Sequence, residues 1–206
     1  MSPTPPELVV LVDADGHAIG TAPKATVHHR ETPLHLAFSC YIFDGAGRML
    51  LTCRALEKPT WPGAWTNSFC GHPSPGEDIF HAVRRRAREE LGITLDQLQL
   101  TLPTFRYEAT MTDGTRENEL CPVFTATTSS ELRPAPTEVE AHEWVDWWAF
   151  RDDVLAGNRD ISPWAARQVA DLAERAVAAG FDPAPTCELP PAARSPTVRT
   201  RDETGR

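Results

Sequence analysis

An amphipathic segment that ends at Gly92 constrains the fold more than any other feature of this 206-residue sequence. Apolar residues recur there at every fourth position, which is the spacing of one helix face: Ile79, Val83, Ala87 and Leu91. Gly92 follows as a typical stop signal. The segment therefore predicts a helix over residues 78–91 with one buried face.

Two charged residues fall on the apolar side of this predicted helix. Glu90 lies between Ile79 and Val83 on a helical wheel, and Arg86 lies one turn back on the same side. A carboxylate on a buried face costs free energy unless it is paired or bound to a metal. Two interpretations stay open here, a metal-binding or phosphate-binding role and an ordinary i,i+4 Arg–Glu pair on a solvated face.

The rest of the chain reads as strands joined by turns, with two more helices. A strand covers 8–16 and ends in a turn, and a hairpin covers 35–55 around residues 44–47. We expect a second hairpin from 104–111 and 117–128, and a strand that enters a helix over 141–150. Ser162 and Pro163 open the last helix as cap and first-turn residue. The predicted fold class is α+β, a mixed β-sheet sandwich flanked by helices.

Composition limits the classes of function. The formal net charge is −9, which disfavours a nucleic-acid surface, and no apolar run approaches the roughly 20 residues of a membrane span. Five cysteines without a C-x-x-C pair exclude a disulfide scaffold and a zinc ribbon. Cys40, Cys53 and Cys121 lie in apolar runs and are expected to pack as small core residues, which favours a reducing, cytoplasmic compartment. The start has no basic residue and does not resemble a secretory signal.

Both ends of the chain differ from its middle in composition. Residues 1–6 contain three prolines and are predicted to be flexible, while 7–180 form the domain. Residues 181–206 are rich in Pro, Arg and Thr and have no periodicity. Such a segment buries too little apolar surface to offset its ordering entropy, so we predict a disordered tail.

Two carboxylates mark a candidate cation site. Glu117 and Glu119 are two residues apart on a predicted strand, so their side chains lie on one face, which Cys121 continues. Neighbouring carboxylates repel each other, and a hard cation such as Mg²⁺ or Mn²⁺ between them removes the repulsion. The alternative is an exposed acidic strand edge.

Three histidines could add nitrogen ligands to such a site. His28 and His35 flank a short loop before the first hairpin, and His72 follows the run TNSFCG. None has the i,i+4 spacing of a zinc helix, and a lone histidine is more often a packed or surface residue. Together with the two carboxylates they would form an octahedral nitrogen and oxygen site, and imidazole broadens its range toward Zn²⁺.

Cys70 is the cysteine whose neighbours suggest chemistry. It lies between Phe69 and Gly71 in a loop of turn-forming residues, where glycine lets a ligand approach the backbone. A nearby cation would lower the thiol pKa and suit it to proton transfer. A packed loop cysteine is the alternative.

These residues form a motif that resembles the Nudix box. The spacing Gly71-x5-Glu77-x7-Arg85-Arg86-x2-Glu89-Glu90-x-Gly92 follows that box, except that Arg86 replaces a glutamate. Loss of a metal-binding glutamate argues against ordinary nucleoside-diphosphate hydrolysis. The runs "TNSFCGHP" and "ENELCP" closely resemble type I isopentenyl-diphosphate delta-isomerases, and the similarity extends from about residue 8 to 175.

The resemblance implies a set of metal and diphosphate ligands. A divalent metal (Mn²⁺, Mg²⁺ or Zn²⁺) would be bound by the residues matching His28, His35, His72, Glu117 and Glu119. A second ion, Mg²⁺ bound to the substrate diphosphate, would be held by Glu90, with the backbone carbonyl of Cys70 near it. Basic residues that would bind the diphosphate are Lys24, Arg54, Lys58 and Arg86. No flavin is implied.

The resemblance also implies a reaction, the interconversion of isopentenyl and dimethylallyl diphosphate by a 1,3-allylic proton shift in isoprenoid biosynthesis. The acid and the base would be Cys70 and Glu119, with Tyr107 hydrogen-bonded near the carboxylate. The Trp164 ring would stabilise a carbocation-like state through a cation–π contact, worth about 2 kcal/mol when desolvated. We expect a monomer with a small-molecule substrate and neither nucleic-acid nor membrane partners. The alternatives are a Nudix pyrophosphohydrolase acting on nucleoside diphosphates and a catalytically silent ligand sensor.

Overall fold

Two mixed sheets form the framework of the domain in the computed structural model, which describes residues 6–177 and 180–194. The first sheet has the strand order β2 (Ala18–Pro23), β1 (Leu8–Val12), β3 (His35–Leu36), β10 (Arg116–Leu120) and β9 (Arg106–Thr110). Strands β3 and β10 run parallel, and the other neighbours in this sheet are antiparallel.

The second sheet has the strand order β12 (Val139–Asp146), β5 (Arg48–Arg54), β4 (Phe38–Phe43), β11 (Val123–Thr127) and β8 (Gln97–Leu102). Two short strands extend it, since β6 (Trp65–Thr66) pairs with β5 and β7 (Phe69–Gly71) pairs with β4. A separate small hairpin joins β13 (Ala176–Val177) and β14 (Gly180–Phe181). The α+β sandwich predicted from the sequence is confirmed.

Three α-helices flank the sheets within the described ranges: α1 (Ile79–Leu91), α2 (Trp147–Leu155) and α3 (Pro163–Arg175). Short 3-10 turns occur at Lys24–Thr26, Thr186–Glu188 and Pro191–Ala193. None of the helices in the described part of the chain has the length and apolar character needed to cross a membrane.

The helix predicted over 78–91 is present as α1. Its N-cap Asp78 accepts a hydrogen bond from the backbone N–H of His81, and Gly92 ends it in the left-handed conformation at φ 68°. A side chain at Gly92 would also meet Arg133 at 2.8 Å. Arg86 and Glu90 are both buried on the inner face of α1, so the solvated-face interpretation of this pair is wrong.

One apolar core connects the two sheets with α1. It includes Leu36 of the first sheet, Phe38 and Phe124 of the second sheet, and Val83 and Leu91 of α1, all almost fully buried. Burial of each such side chain contributes about 1.5–3 kcal/mol of transfer free energy. This core fixes the orientation of α1 relative to strands β3 and β10, which carry several predicted site residues.

The first predicted hairpin is confirmed, and the second differs in extent. Strands β4 and β5 are antiparallel around a turn in which Asp44 accepts hydrogen bonds from two backbone N–H groups. The predicted strand 117–128 is instead two strands in different sheets, β10 and β11. Pro122 lies between them and cannot donate a backbone hydrogen bond to a sheet ladder.

The segment predicted as a disordered tail is partly ordered. Residues 181–194 pack along the domain, with Leu189 and Ala193 in the main apolar core, while 195–206 lie outside the described residues. The backbone N–H groups of Ala184 and Ala192 donate to Leu100 and Gly16. The composition argument fails here because a few apolar residues between prolines suffice to anchor the segment. Of the predicted flexible start, residues 1–5 also lie outside the described ranges.

Candidate active site

Strand register brings Glu119 next to two other predicted site residues. The parallel pairing of β3 and β10 sets Glu119 opposite His35, and the antiparallel pairing of β10 and β9 sets Glu119 opposite Tyr107. Cross-strand partners project from the same face of a sheet, so these three side chains form a row. The row lies near one end of the first sheet.

Three histidines surround a single oxygen of Glu119. The Nε2 atoms of His28, His35 and His72 lie 3.7, 3.5 and 3.1 Å from Oε1 of that carboxylate. One ligand atom from each of these four residues lies within 4.8 Å of all the others. The chain therefore gathers a three-imidazole, one-carboxylate donor set from four separate segments.

This donor set fits a divalent cation. His35 Nδ1 lies 2.9 Å from the backbone oxygen of Pro33, which favours a proton on Nδ1 and leaves Nε2 with a free lone pair. The Nε2 atoms of His28 and His35 are buried and make no hydrogen bond. Buried nitrogen lone pairs directed at one carboxylate oxygen are the arrangement that a metal ion such as Mn²⁺ or Zn²⁺ satisfies.

Glu117 lies beside this cluster rather than among its four donors. The Tyr107 hydroxyl lies 2.9 Å from Oε2 of Glu117 and 2.9 Å from Oε2 of Glu119. Glu117 and Glu119 thus share one face, as the sequence predicts, and a hydroxyl bridges them. Both carboxylates are buried, which excludes the exposed acidic edge as an interpretation.

The protonation states of these groups follow from burial and from their neighbours. Burial opposes ionisation of Glu119, but its interactions with the three histidines outweigh burial and hold the pKa of its carboxyl well below the ordinary value. Burial and the charge of Glu119 raise the pKa of Glu117. Burial lowers the pKa of His72 to about 4, so His72 is neutral at pH 7 and able to bind a metal.

A cavity of about 590 Å³ adjoins the cluster. Its wall contains eleven of the thirteen residues that the sequence analysis assigns to the site: Lys24, His28, Arg54, Lys58, Cys70, His72, Arg86, Tyr107, Glu117, Glu119 and Trp164. His35 and Glu90 are buried behind this wall. Four basic side chains, two carboxylates and one thiol therefore face a single space.

The Cys70 thiol differs from the expected low-pKa thiol. Burial raises the pKa of Cys70 to about 12, and the opposing effect of Arg54 is smaller. Its sulfur lies 3.3 Å from Ser39 Oγ and 3.3 Å from Asn67 Oδ1. Arg54 has the lowering effect expected of a nearby cation, but burial exceeds it, so the thiol keeps its proton at pH 7.

Trp164 supplies an aromatic wall. The indole is 2% exposed and donates its Nε1 hydrogen to Asn67 Oδ1 at 3.0 Å. Its ring centroid lies 5.8 Å from that of Tyr107 and 5.8 Å from that of Trp61. Trp61 has an unusual positive φ of 50°, so the loop that carries it is held in a strained conformation against Trp164.

The basic residues of the wall are held by different partners. Lys24 donates to Glu7 Oε2 at 2.7 Å, and Arg54 donates to the backbone oxygen of Thr60 at 2.9 Å. The Arg54 guanidinium also lies 5.8 Å from the Trp164 ring centroid. These two cations are therefore oriented by residues that also line the cavity.

Arg86 and Lys58 share the carboxylate of Glu138. Arg86 lies 3.2 Å from Glu138 Oε1 and bonds Glu90 Oε1 through Nε at 2.9 Å, while Lys58 donates to Glu138 Oε2. Burial alone would lower the pKa of Arg86, but the charges of Glu90 and Glu138 raise it. Burial raises the pKa of Glu90, against the effect of Arg86. Arg86 and Glu90 thus form a buried, hydrogen-bonded ion pair.

Sequence reasoning missed the polar residues that support the site. Asn67 and Ser39, both fully buried, contact the Cys70 sulfur, and Glu138 joins Lys58 to Arg86. The polar run at residues 66–68, between buried strands, is a signal that could have identified Asn67, since buried amides need specific partners. Nothing in the local sequence distinguishes Glu138 from a surface glutamate.

Known proteins similar to this chain point to one family. The NUDIX domain profile matches residues 33–165. A protein named isopentenyl-diphosphate Delta-isomerase from Saccharopolyspora erythraea is 55% identical over 188 residues, which cover 91% of this chain and 97% of that relative. A protein of the same name from Mycolicibacterium vanbaalenii is 57% identical over 163 residues, 79% of this chain and 90% of that relative.

Solved structures support the fold. A Deinococcus radiodurans protein aligns with a TM-score of 0.61 at 20% identity, covering 80% of this chain and 98% of the other. The MutT protein of Methanosarcina mazei aligns with a TM-score of 0.54 at 20% identity, covering 68% of this chain and 93% of the other. At this level of identity the likeness concerns the sheets and helices alone.

Proposed function

Because the chain belongs to the isopentenyl-diphosphate Delta-isomerase family of NUDIX-domain proteins, we propose that it interconverts isopentenyl diphosphate and dimethylallyl diphosphate. The observation that carries this function is the joint presence of the Cys70 thiol and the Glu119 carboxylate on one cavity wall that also holds four basic side chains. Such a wall suits a short, neutral carbon chain with a diphosphate at one end.

The double-bond shift requires one group that gives a proton and one that accepts a proton. The terminal carbon of the alkene gains a proton, a tertiary carbocation-like centre develops at C3, and C2 then loses a proton. Cys70 keeps its proton at pH 7, whereas Glu119 is ionised. The two groups thus form a complementary acid–base pair with one proton between them, which serves the reaction in both directions.

The diphosphate end is bound by the basic residues of the wall. Lys24, Arg54, Lys58 and Arg86 supply positive charge, and an arginine fork binds two phosphate oxygens at once. Arg86 takes the position of a glutamate in the hydrolase box, so this chain has a diphosphate-binding cation where hydrolases bind a metal. The replacement of that glutamate by Arg86 favours binding of the intact diphosphate over its hydrolysis.

Two divalent ions belong to the proposal. Glu90 would hold Mg²⁺ that accompanies the diphosphate, near the backbone oxygen of Cys70, and the four-donor cluster with Glu117 would hold Mn²⁺, Mg²⁺ or Zn²⁺. Bound ions supply charge that neutralises phosphate and increases the acidity of a ligated carboxyl. Glu90 bonds Arg86 in this structure, so it would share its carboxylate between the ion and the guanidinium.

Trp164 and Tyr107 complete the reaction site. The indole face would stabilise positive charge at C3 by about 2 kcal/mol, which corresponds to roughly a thirtyfold rate increase. Tyr107 orients the carboxylates of Glu117 and Glu119 through its hydroxyl. Both side chains are buried, so the aromatic wall also keeps water away from a reactive cation. We further propose a cytoplasmic monomer whose partner is this small-molecule substrate.

The function can be tested by measuring isomerisation and phosphate release side by side. Purified protein is incubated with isopentenyl diphosphate and Mg²⁺, and in parallel with nucleoside diphosphates. The expected result is dimethylallyl diphosphate without release of phosphate from any substrate. Phosphate release from nucleoside diphosphates without isomerisation would identify a hydrolase, and binding without turnover of either substrate would identify a ligand sensor.

A further inference from the structure

We propose that Asn67 is a positioning residue that holds the Cys70 thiol and the Trp164 indole in one fixed arrangement on the cavity wall. The inference rests on the proposed function, because it concerns how two groups of that reaction are kept in place. Cys70 belongs to β7 and Trp164 to α3, so their relative position is not set by any shared element.

The amide oxygen of Asn67 contacts both groups. Oδ1 lies 3.3 Å from the Cys70 sulfur and 3.0 Å from Trp164 Nε1. Asn67 itself is fully buried at 0% exposure, whereas Cys70 and Trp164 line the cavity. Asn67 therefore acts from behind the wall and does not contact the substrate.

The orientation of the amide is determined by its partners. Nδ2 donates to the backbone oxygens of Cys40 at 3.0 Å and Phe69 at 2.7 Å, and those oxygens can only accept. The indole Nε1 can only donate, so the opposite end of the amide must be the oxygen. With both ends fixed, rotation of the amide would leave several buried groups unsatisfied, which costs about 1–3 kcal/mol each.

A second contact limits movement of the thiol. Ser39 Oγ lies 3.3 Å from the Cys70 sulfur and accepts a hydrogen bond from Gln168 Nε2 at 2.9 Å. The Gln168 Oε1 atom in turn accepts from the Tyr41 hydroxyl at 3.0 Å. The sulfur is thus held between Asn67 and Ser39, and only Asn67 also reaches the indole.

This arrangement has a kinetic consequence. Proton transfer by Cys70 and charge stabilisation by Trp164 act on neighbouring carbons of one substrate, so both groups must be correctly placed at once. A displacement of about 1 Å in such a site can lower a rate about 100-fold. Binding of the diphosphate depends on other residues and should be little affected.

The test compares Asn67→Ala with Thr66→Val. The Thr66 hydroxyl also donates to Asn67 Oδ1, at 2.8 Å, and is also buried, but its other hydrogen-bond partner is the Ser162 hydroxyl rather than Cys70 or Trp164. We expect Asn67→Ala to lower kcat about 100-fold with little change in KM for isopentenyl diphosphate, while Thr66→Val loses stability without losing kcat. Thermal unfolding monitors stability in both variants.

Two outcomes would overturn the inference. One is an Asn67→Ala variant whose kcat falls less than tenfold, and the other is a Thr66→Val variant whose kcat falls as far as that of Asn67→Ala. Wild-type turnover is measured in the same series. An inactive wild type would contradict the proposed function, whereas an active wild type with insensitive variants would contradict the role of Asn67 alone.

If Asn67→Ala does not fold, the hydrogen bond between the Trp164 indole and Asn67 is tested directly. Replacement of Trp164 by benzothienylalanine keeps both aromatic rings and removes the N–H that bonds Asn67. The expected result is a kcat at least fivefold lower with KM unchanged. A kcat closer to that of the wild type would mean that Asn67 does not position the ring.

Discussion

The Tyr107 hydroxyl lies 2.9 Å from Oε2 of Glu119, whereas the Nε2 atoms of the three histidines lie 3.1–3.7 Å from Oε1. Glu119 therefore presents Oε1 to the candidate metal site and Oε2 to a hydroxyl. The same hydroxyl lies equally close to Glu117, so it separates two buried carboxylates that would otherwise repel each other. We therefore expect Oε1 of Glu119 to bind the metal, while the hydrogen bond from Tyr107 to Oε2 orients the carboxylate.

Tyr107→Phe tests this division. The variant keeps the ring beside Trp164 and removes one hydrogen bond to a charged group, which is worth about 1.5–3 kcal/mol. We expect kcat to fall about 10–100-fold, with KM and metal content close to those of the wild type. Loss of the bound metal with kcat unchanged would contradict the division between the two oxygens.

Cys70→Ala tests proton transfer by the thiol, with Cys121→Ala as a matched control. Both sulfurs lie near Ser39 Oγ, at 3.3 and 3.4 Å, but only Cys70 lines the cavity. We expect Cys70→Ala to keep its fold and metal and to lose about 1,000-fold or more in isomerisation. Cys121→Ala should lose stability and keep most of its turnover. If the Cys70 variant retains a tenth of wild-type turnover, the thiol does not transfer a proton.

Glu90→Gln tests the separation of the two ions. Glu90 is buried and bonded to Arg86, while the neighbouring Glu89 also bonds Arg86 but is 45% exposed. We expect Glu90→Gln to raise the Mg²⁺ concentration for half-maximal rate about tenfold and to leave the ion at the histidine cluster in place. Glu89→Gln should leave both properties nearly unchanged. Metal analysis that finds the cluster ion lost in Glu90→Gln would contradict two separate sites.

The affinity of the histidine cluster for metal should depend on pH through His35. Burial lowers the pKa of His35, but the carboxylate of Glu119, whose Oε1 lies 3.5 Å from Nε2, outweighs burial and raises the pKa above the ordinary 6.5. A metal binds only the neutral imidazole, so affinity should fall about tenfold per pH unit below that raised pKa and level off above it. His72, with a pKa of about 4, adds no dependence near neutral pH. Calorimetric titration of Mn²⁺ measures this; equal affinities at about pH 6 and 8 would contradict it.

Local patterns predicted the elements that carry most of the site. The four-residue period predicted α1 and placed Arg86 and Glu90 on its apolar side, and the two-residue spacing of Glu117 and Glu119 predicted their shared face; the structure shows that all four are buried. These predictions depend on helix and strand geometry alone. The resemblance to a known family supplied what these patterns could not, namely that distant histidines belong to one site.

Other features depend on tertiary packing, which local patterns do not report. The raised pKa of Cys70 follows from burial in a wall built by strands and helix α3, although the local loop sequence suggests an accessible thiol. The order of residues 181–194 depends on a core formed by residues between Val10 and Val139. Asn67 was missed because two of its partners, Cys40 and Trp164, lie 27 and 97 residues away in the sequence.

Proton NMR of the wild-type protein with isopentenyl diphosphate and Mg²⁺ in D₂O tests the central claim most directly. A thiol and a carboxylate that protonate one carbon and deprotonate another must exchange protons with the solvent. The predicted result is the appearance of dimethylallyl diphosphate with deuterium in a methyl group, and no such signal from Cys70→Ala. Unchanged alkene signals in the wild type, or loss of the diphosphate without new methyl signals, would contradict the account.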